Sequence, residues 1–262
     1  MGQTIVPMLQ VPDVRATVEW YESVGFRVVA TYGNETAEGM SFGIVAFGES
    51  EVMFNQGGVT SDKHRREVDL YIYTDGVDEI YERLKDRVDV VKRPHNTFYG
   101  TREVIIRDNN RFWISFSQES LFTILMEGAV EGKPEQVQKA VESGQFDVET
   151  LSVALAASGQ KNEEIVALLR RAGAKPAPEV DLATLQSYAG KYRGDQGPEV
   201  EMTVKDGKLF AKPAHQQPMS LWPLDQTTFK PILIEGATII FDSDGLTFIQ
   251  TEFATKLHKT AK

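Results

Sequence analysis

The 262-residue chain contains no cysteine. Disulfides, thiolate-bound zinc and cysteine nucleophiles are therefore excluded, and a reducing compartment, the cytoplasm, is the expected location. No apolar run approaches the roughly 18 residues of a membrane span, so no membrane partner is expected. The opening residues, MGQTIVPMLQ, lack a basic stretch followed by an apolar core, and no secretion signal is expected. Histidine is scarce, with four residues (His64, His95, His215, His258) that show no metal-binding spacing. His64 and His95 fall in expected loops, and all four read as solvated surface groups. Positive charge is also short, with 28 basic against 38 acidic side chains and a net charge of −10. The deficit recurs in every segment: 13 against 18 in residues 1–118, 6 against 9 in 119–178, and 9 against 11 in 179–262. A nucleic-acid surface is therefore not expected, and the sign favours a cationic ligand.

What is present divides into three textures. Residues 1–118 alternate short strand patterns with two helices. IVPMLQV predicts a strand, and VRATVEWYESV places Val14, Val18, Tyr21 and Val24 at helical spacing behind Asp13 as N-cap. RVVATYG, MSFGIVAFG and EVMFNQG then read as strands between glycine-bearing turns. The order recurs with VDLYIYT, the helix VDEIYERLKDR, and the strands VDVVKRP, TREVIIRD and RFWISFSQ, an internal repeat of about 55–60 residues.

Residues 119–178 read as four helices, FTILMEGAVEG, PEQVQKAVESG, ETLSVALAASG and NEEIVALLRRAGA, each ending in or near glycine. KPAPEV then reads as a linker. Residues 179–262 open with one short helix, ATLQSYAGKYRG, and continue as strands. Asp206-Gly207 marks a hairpin, and MSLWPLD, TTFKPIL, ATIIFDSDG and LTFIQTEF follow. Ser158-Gly-Gln-Lys161 spells Ser-x-x-Lys, but its serine sits in a turn before glycine and no Lys-Thr-Gly follows, so it is read as chance.

The stretches VPMLQVPDVRATVEWYESVGFRVV, LYIYTDGVDEIYERL and FYGTREVIIRDNNRFWISF, in this order and spacing, resemble the glyoxalase/bleomycin-resistance/dioxygenase family, also called the vicinal oxygen chelate superfamily. Arg111 stands where the closing frame of that family has glycine. The resemblance covers about residues 3–118 and implies two βαβββ modules curling into a half-open barrel around a cavity. In enzymes of this kind four inward side chains, usually His or Gln, Glu, His and Glu, hold a divalent metal. Carried over residue by residue, those positions are Val6, Met53, Asp69 and Ser115 in this chain. Of these, Asp69 alone is a good ligand for a hard cation. The resemblance therefore points to the metal-free, ligand-sequestering branch, with no cofactor and no catalytic residue.

Strand parity then places Met8, Asn55, Tyr71, Tyr73 and Trp113 on the same face as Met53, Asp69 and Ser115. That face suits a flat aromatic or cationic molecule, an antibiotic among the candidates, held by stacking and cation–π contact. Phe98 and Tyr99 are expected to close its mouth. Dimers are common in this branch, so a homodimer is expected. Two other readings stay open. One is a metal-dependent lyase, isomerase or dioxygenase recruiting Asp69 with Glu51 or Glu103, and the other is a protein-interaction scaffold.

Residues 119–178 resemble two ankyrin-type helix pairs, through Leu-Leu-x-x-x-Gly-Ala closing the second pair, and imply a structural role. YAGKYRG, VEMTVKDGKLFAKPA, LWPLDQTTF and IIFDSDGLTFIQ resemble a small β-domain appended to serine β-lactamase-like hydrolases. The expected fold is α+β multidomain: paired βαβββ modules (1–118), ankyrin-like helical hairpins (119–178) and a small antiparallel β-domain (179–262).

Overall fold

A computed structural model of the chain describes residues 5–33, 39–59, 68–194, 199–250 and 253–260. It divides into two compact units, Met1–Thr97 with Arg102–Gln118, and Phe98–Thr101 with Glu119–Lys262.

The first unit is built twice over. Its first module runs β1 (Met8–Val11), α1 (Val14–Ser23), β2 (Arg27–Gly33), β3 (Met40–Phe47) and β4 (Ser50–Gln56). The second runs β5 (Asp69–Tyr73), α2 (Val77–Leu84), β6 (Asp89–Asn96), β7 (Thr101–Arg107) and β8 (Trp113–Glu119). The sheets have matching orders, β1-β4-β3-β2 and β5-β8-β7-β6, with β1–β4 and β5–β8 parallel. The internal repeat is thus a repeat of topology. His64 lies outside the described residues, and His95 belongs to strand β6 rather than to a loop. That strand runs through Pro94, beside irregularities in its pairing with β7 that accommodate the missing N–H.

Helix α1 starts where expected, because the Asp13 carboxylate accepts the Ala16 N–H at 2.9 Å. Val14, Val18 and Tyr21 then form one buried face. The Tyr21 ring meets Phe26 and Phe54 at centroid distances of 4.9 and 4.8 Å. The approach of α1 to β3 depends on Gly43, where an added Cβ would lie 2.5 Å from Val18 Cγ2. The Tyr21 hydroxyl donates to Asp108 Oδ2 at 3.1 Å, and Asn110 Nδ2 donates to Thr17 Oγ1 at 2.8 Å. These bonds tie α1 to the turn between β7 and β8. In that turn Asp108 Oδ1 accepts the backbone N–H groups of Asn110 and Phe112. Arg111 sits there at φ 71°, in the left-handed region where a glycine would be unstrained.

The second unit contains α3 (Leu121–Glu131), α4 (Pro134–Glu142), α5 (Val148–Ala157), α6 (Glu163–Arg171) and α7 (Leu182–Tyr188). The strands are β9 (Gly190–Arg193), β10 (Glu199–Lys205), β11 (Lys208–Pro213), β12 (Met219–Pro223), β13 (Thr228–Pro231), β14 (Ala237–Asp242), β15 (Gly245–Gln250) and β16 (Phe253–Lys259). Gly132, Gly144, Gly159 and Gly173 follow the first four helices at positive φ, as their sequence positions imply. The Ser158 hydroxyl donates to Leu155 O at 2.8 Å, so it turns back onto its own helix.

The strands form a closed barrel in the order β10-β11-β12-β13-β14-β15-β16-β9, a closure that the expectation of a small antiparallel β-domain did not specify. Closure comes from two segments, one read differently from sequence and one that the sequence reading left unassigned. ATLQSYAGKYRG is not one helix: α7 ends at Tyr188, and Gly190–Arg193 becomes β9. Gly190, at φ 145°, leaves room for Lys259, whose Cε would lie 2.7 Å from a Cβ there. The last segment, FATKLHK, forms β16 and pairs His258 with Arg193 and Lys259 with Tyr192. Tyr192, Met202, Phe229, Phe241 and Leu257 fill the interior, as expected of an eight-stranded barrel. Asp206 and Gly207, at φ 49° and 69°, make the β10–β11 turn that the Asp-Gly pair predicts.

Candidate functional site

Each sheet of the first unit has a core face and an open face. On the second sheet, Leu70, Ile114, Phe116, Val104 and Ile106 are buried in the core. Their strand neighbours therefore point the other way. The register aligns Asp69 with Trp113, Tyr71 with Ser115 and Tyr73 with Ser117. Tyr71 is 43% exposed and Tyr73 79% exposed, and their rings meet edge to face at 5.3 Å. Trp113 is half-buried, and Ser115 and Ser117 are buried.

A polar cluster lies within this face. The Tyr71 hydroxyl donates to Glu103 Oε1 and lies 2.7 Å from Ser117 Oγ. Glu103 precedes the core residue Val104 on β7 and is only 3% exposed. A carboxylate withdrawn from water needs such partners. A tyrosine whose O–H donates to a buried carboxylate has its ring made more electron-rich, and that ring is partly exposed on the open face. That combination attracts a cation or a hydrogen-bond donor carried on a flat apolar body.

The first sheet carries a second patch. Met8 aligns with Met53, and Asn55 with Phe42. Met8 is exposed, and Met53 and Asn55 are half-buried. Tyr32 and Phe42 add rings 5.9 Å apart. The ten sequence-predicted residues therefore separate into three groups. Asp69, Tyr71, Tyr73, Trp113 and Ser115 share the open face of the second sheet. Met8, Met53 and Asn55 share that of the first. Phe98 and Tyr99 fall in the second unit, against α3. Parity could not find Ser117 as a partner of Tyr71, nor the bond between Glu103 and Tyr71, because both depend on which strands become neighbours.

A divalent metal does not fit the four positions that the resemblance assigns to it. Val6 offers no donor, Met53 a soft thioether, Ser115 a neutral hydroxyl, and Asp69 a single carboxylate. Among the described residues no three His, Asp or Glu side chains stand close enough to hold a metal ion. Glu103 is already bonded to Tyr71.

The second unit holds a cleft of about 800 Å³ between the end of α5, the chain at Pro176–Asp181, and the barrel at Trp222 and Phe229. None of the sequence-predicted site residues lines it.

Residues 4–116 match the family model for the Glyoxalase/Bleomycin resistance protein/Dioxygenase superfamily, so the N-terminal segment carries a domain of that superfamily. No curated protein matches the chain at a significant level. Among solved structures, TioX from Micromonospora sp. ML1 is similar at 21% identity, covering 45% of this chain and 100% of its own, with a TM-score of 0.38. The fosfomycin resistance protein FosX from Listeria monocytogenes is similar at 15% identity, covering 46% and 94%, with a TM-score of 0.38. A bleomycin resistance determinant encoded on the transposon Tn5 is similar at 16% identity, covering 45% and 99%, with a TM-score of 0.37.

Proposed function

We propose that the N-terminal domain binds a small aromatic or cationic molecule, an antibiotic among the candidates, and does so without a metal or other cofactor. The observation that carries the reading is the Tyr71–Glu103–Ser117 cluster, set among Tyr73 and Trp113 on an open sheet face. It supplies buried negative charge behind stacking surfaces, and the donor set beside it is too poor for a hard cation. Met8, Met53 and Asn55 form a second wall, softer and more adaptable because of the thioethers. Phe98 and Tyr99 belong to the second unit, with α3.

The chain acts as a homodimer in this reading, each open face being covered by a second copy. It works in a reducing cytoplasm, where a chain without cysteine loses nothing. The four helices, arranged as two ankyrin-like pairs, serve as packing elements. The acidic charge disfavours a nucleic-acid partner.

The test is native mass spectrometry of the full chain with proflavine, a planar aromatic monocation at neutral pH. The expected result is one dye per chain on a dimeric species, with occupancy falling about tenfold in Trp113→Ala and in Glu103→Gln. Equal occupancy in wild type and both variants contradicts the site.

A further inference from the structure

We propose that a groove beside α3 in the second unit is a separate binding site for a compact organic cation, of the alkylammonium class. It holds about 330 Å³; Phe98, Tyr99 and Gly100 of its lining belong to the segment that matches the glyoxalase superfamily, and the rest of the lining follows that segment in the chain. Phe98 and Tyr99 form two of its walls. Their rings meet edge to face, 5.0 Å apart at 86°, and make a right-angled aromatic corner. Phe98 is 76% exposed and Tyr99 56% exposed, an unusual cost for adjacent aromatic side chains unless something packs on them. Phe122 and Met126 of α3 are buried and line the same groove. Two aromatic rings at right angles beside an apolar surface offer electron-rich faces, which attract a cation bearing alkyl groups.

The charge has the matching sign. Glu127, Glu131 and Glu235 line the groove, and no lysine or arginine does. Glu131 is paired with Lys133 at 2.5 Å, and Lys133 also feels the Glu127 charge, so the lysine offsets part of the field that the carboxylates set up. Glu235 is half-buried and accepts from Ser120 Oγ at 3.4 Å.

The corner is also fixed in place. Gly100, at φ 89°, turns the chain directly after the two rings. Its carbonyl accepts from Thr123 Oγ1 at 2.8 Å and from the Ser120 N–H at 3.0 Å. The aromatic pair is thereby bolted to the first turn of α3, which Ser120 caps by accepting the Thr123 N–H. A Cβ at Gly100 would lie 2.6 Å from Thr123 Oγ1, so the turn tolerates no larger residue. A cation site of this kind needs such preorganisation, since each ring contributes little if it must first be ordered.

The test is calorimetric titration of the full chain with choline and with its uncharged carbon isostere, 3,3-dimethylbutan-1-ol. Choline should bind at least about fivefold more tightly than the isostere. Phe98→Ala, a change at an exposed side chain, should weaken choline about tenfold. Glu127→Gln should weaken it about threefold and reduce its dependence on salt. A parallel titration with Nα-acetyl-trimethyllysine amide separates the two sources of such a cation. Tighter binding than choline assigns the groove to a protein side chain, and weaker binding assigns it to a free small molecule. Equal binding of choline and isostere overturns the proposal, as does choline binding that Phe98→Ala leaves intact. The two sites are tested separately: Trp113→Ala should weaken proflavine binding about tenfold and leave choline affinity unaltered, so failure at one site is distinguishable from failure at the other.

Discussion

Arg111 occupies the left-handed region at φ 71°, and its Nε is buried without a hydrogen-bond partner among the described residues. A side chain with a Cβ loses about 1–2 kcal/mol there, which glycine would not. Arg111→Gly should therefore raise stability by about 1 kcal/mol, read as the shift in urea midpoint at constant slope. A lower midpoint would mean that the arginine stem contributes packing that outweighs the strain. Tyr21, in the neighbouring network, sets a pH limit. Burial, then the Asp108 charge, then the hydrogen bond to Asp108 push its phenol well above the ordinary value. Above about pH 10 the unfolded chain releases that proton while the folded chain keeps it. The folded state then binds more protons, so stability falls as pH rises from there. Tyr21→Phe should cost about 1 kcal/mol near neutrality through the lost hydrogen bond, and should flatten the alkaline limb of a stability–pH curve. An unchanged alkaline slope would place the controlling titration elsewhere, for instance at Tyr192, which burial pushes up to about 12.

Helix and strand meet most closely at Gly43. Gly43→Ala drives a methyl into Val18 and should cost about 1–3 kcal/mol in thermal or urea unfolding. Combining it with Val18→Ala should recover part of that loss, whereas additive losses would show that the two residues are not in contact. The duplicated strand–helix–strand order was legible because the order of strand and helix periods recurs, and in the first copy punctuation supports it: Asp13 caps α1, glycines separate the strands, and apolar residues alternate. The parity of β5 and β8 was legible for the same reason, and it put Tyr71, Tyr73, Trp113 and Ser115 on one face. Barrel closure was not legible. It depends on β9 pairing with both β10 and β16, and Gly-Lys-Tyr-Arg carries no periodicity long enough to announce a strand. Nor could local pattern assign Phe98 and Tyr99 to α3, because two hydrogen bonds to Gly100 O, made across about twenty residues, decide where that turn docks.

At the scale of the molecule, a domain of a superfamily known for dioxygenases and resistance proteins precedes a unit of helices and a closed barrel. The proposed N-terminal site has at its centre a buried carboxylate, Glu103, bonded to the Tyr71 hydroxyl. Affinity there should come from rings and one shielded charge, so it should be indifferent to divalent ions. The decisive measurement is calorimetric titration of the full chain with proflavine, after exhaustive EDTA treatment and again with added Mn²⁺, Fe²⁺ or Zn²⁺. The account predicts the same affinity and stoichiometry in every case. Binding that appears only after a metal is restored would contradict it.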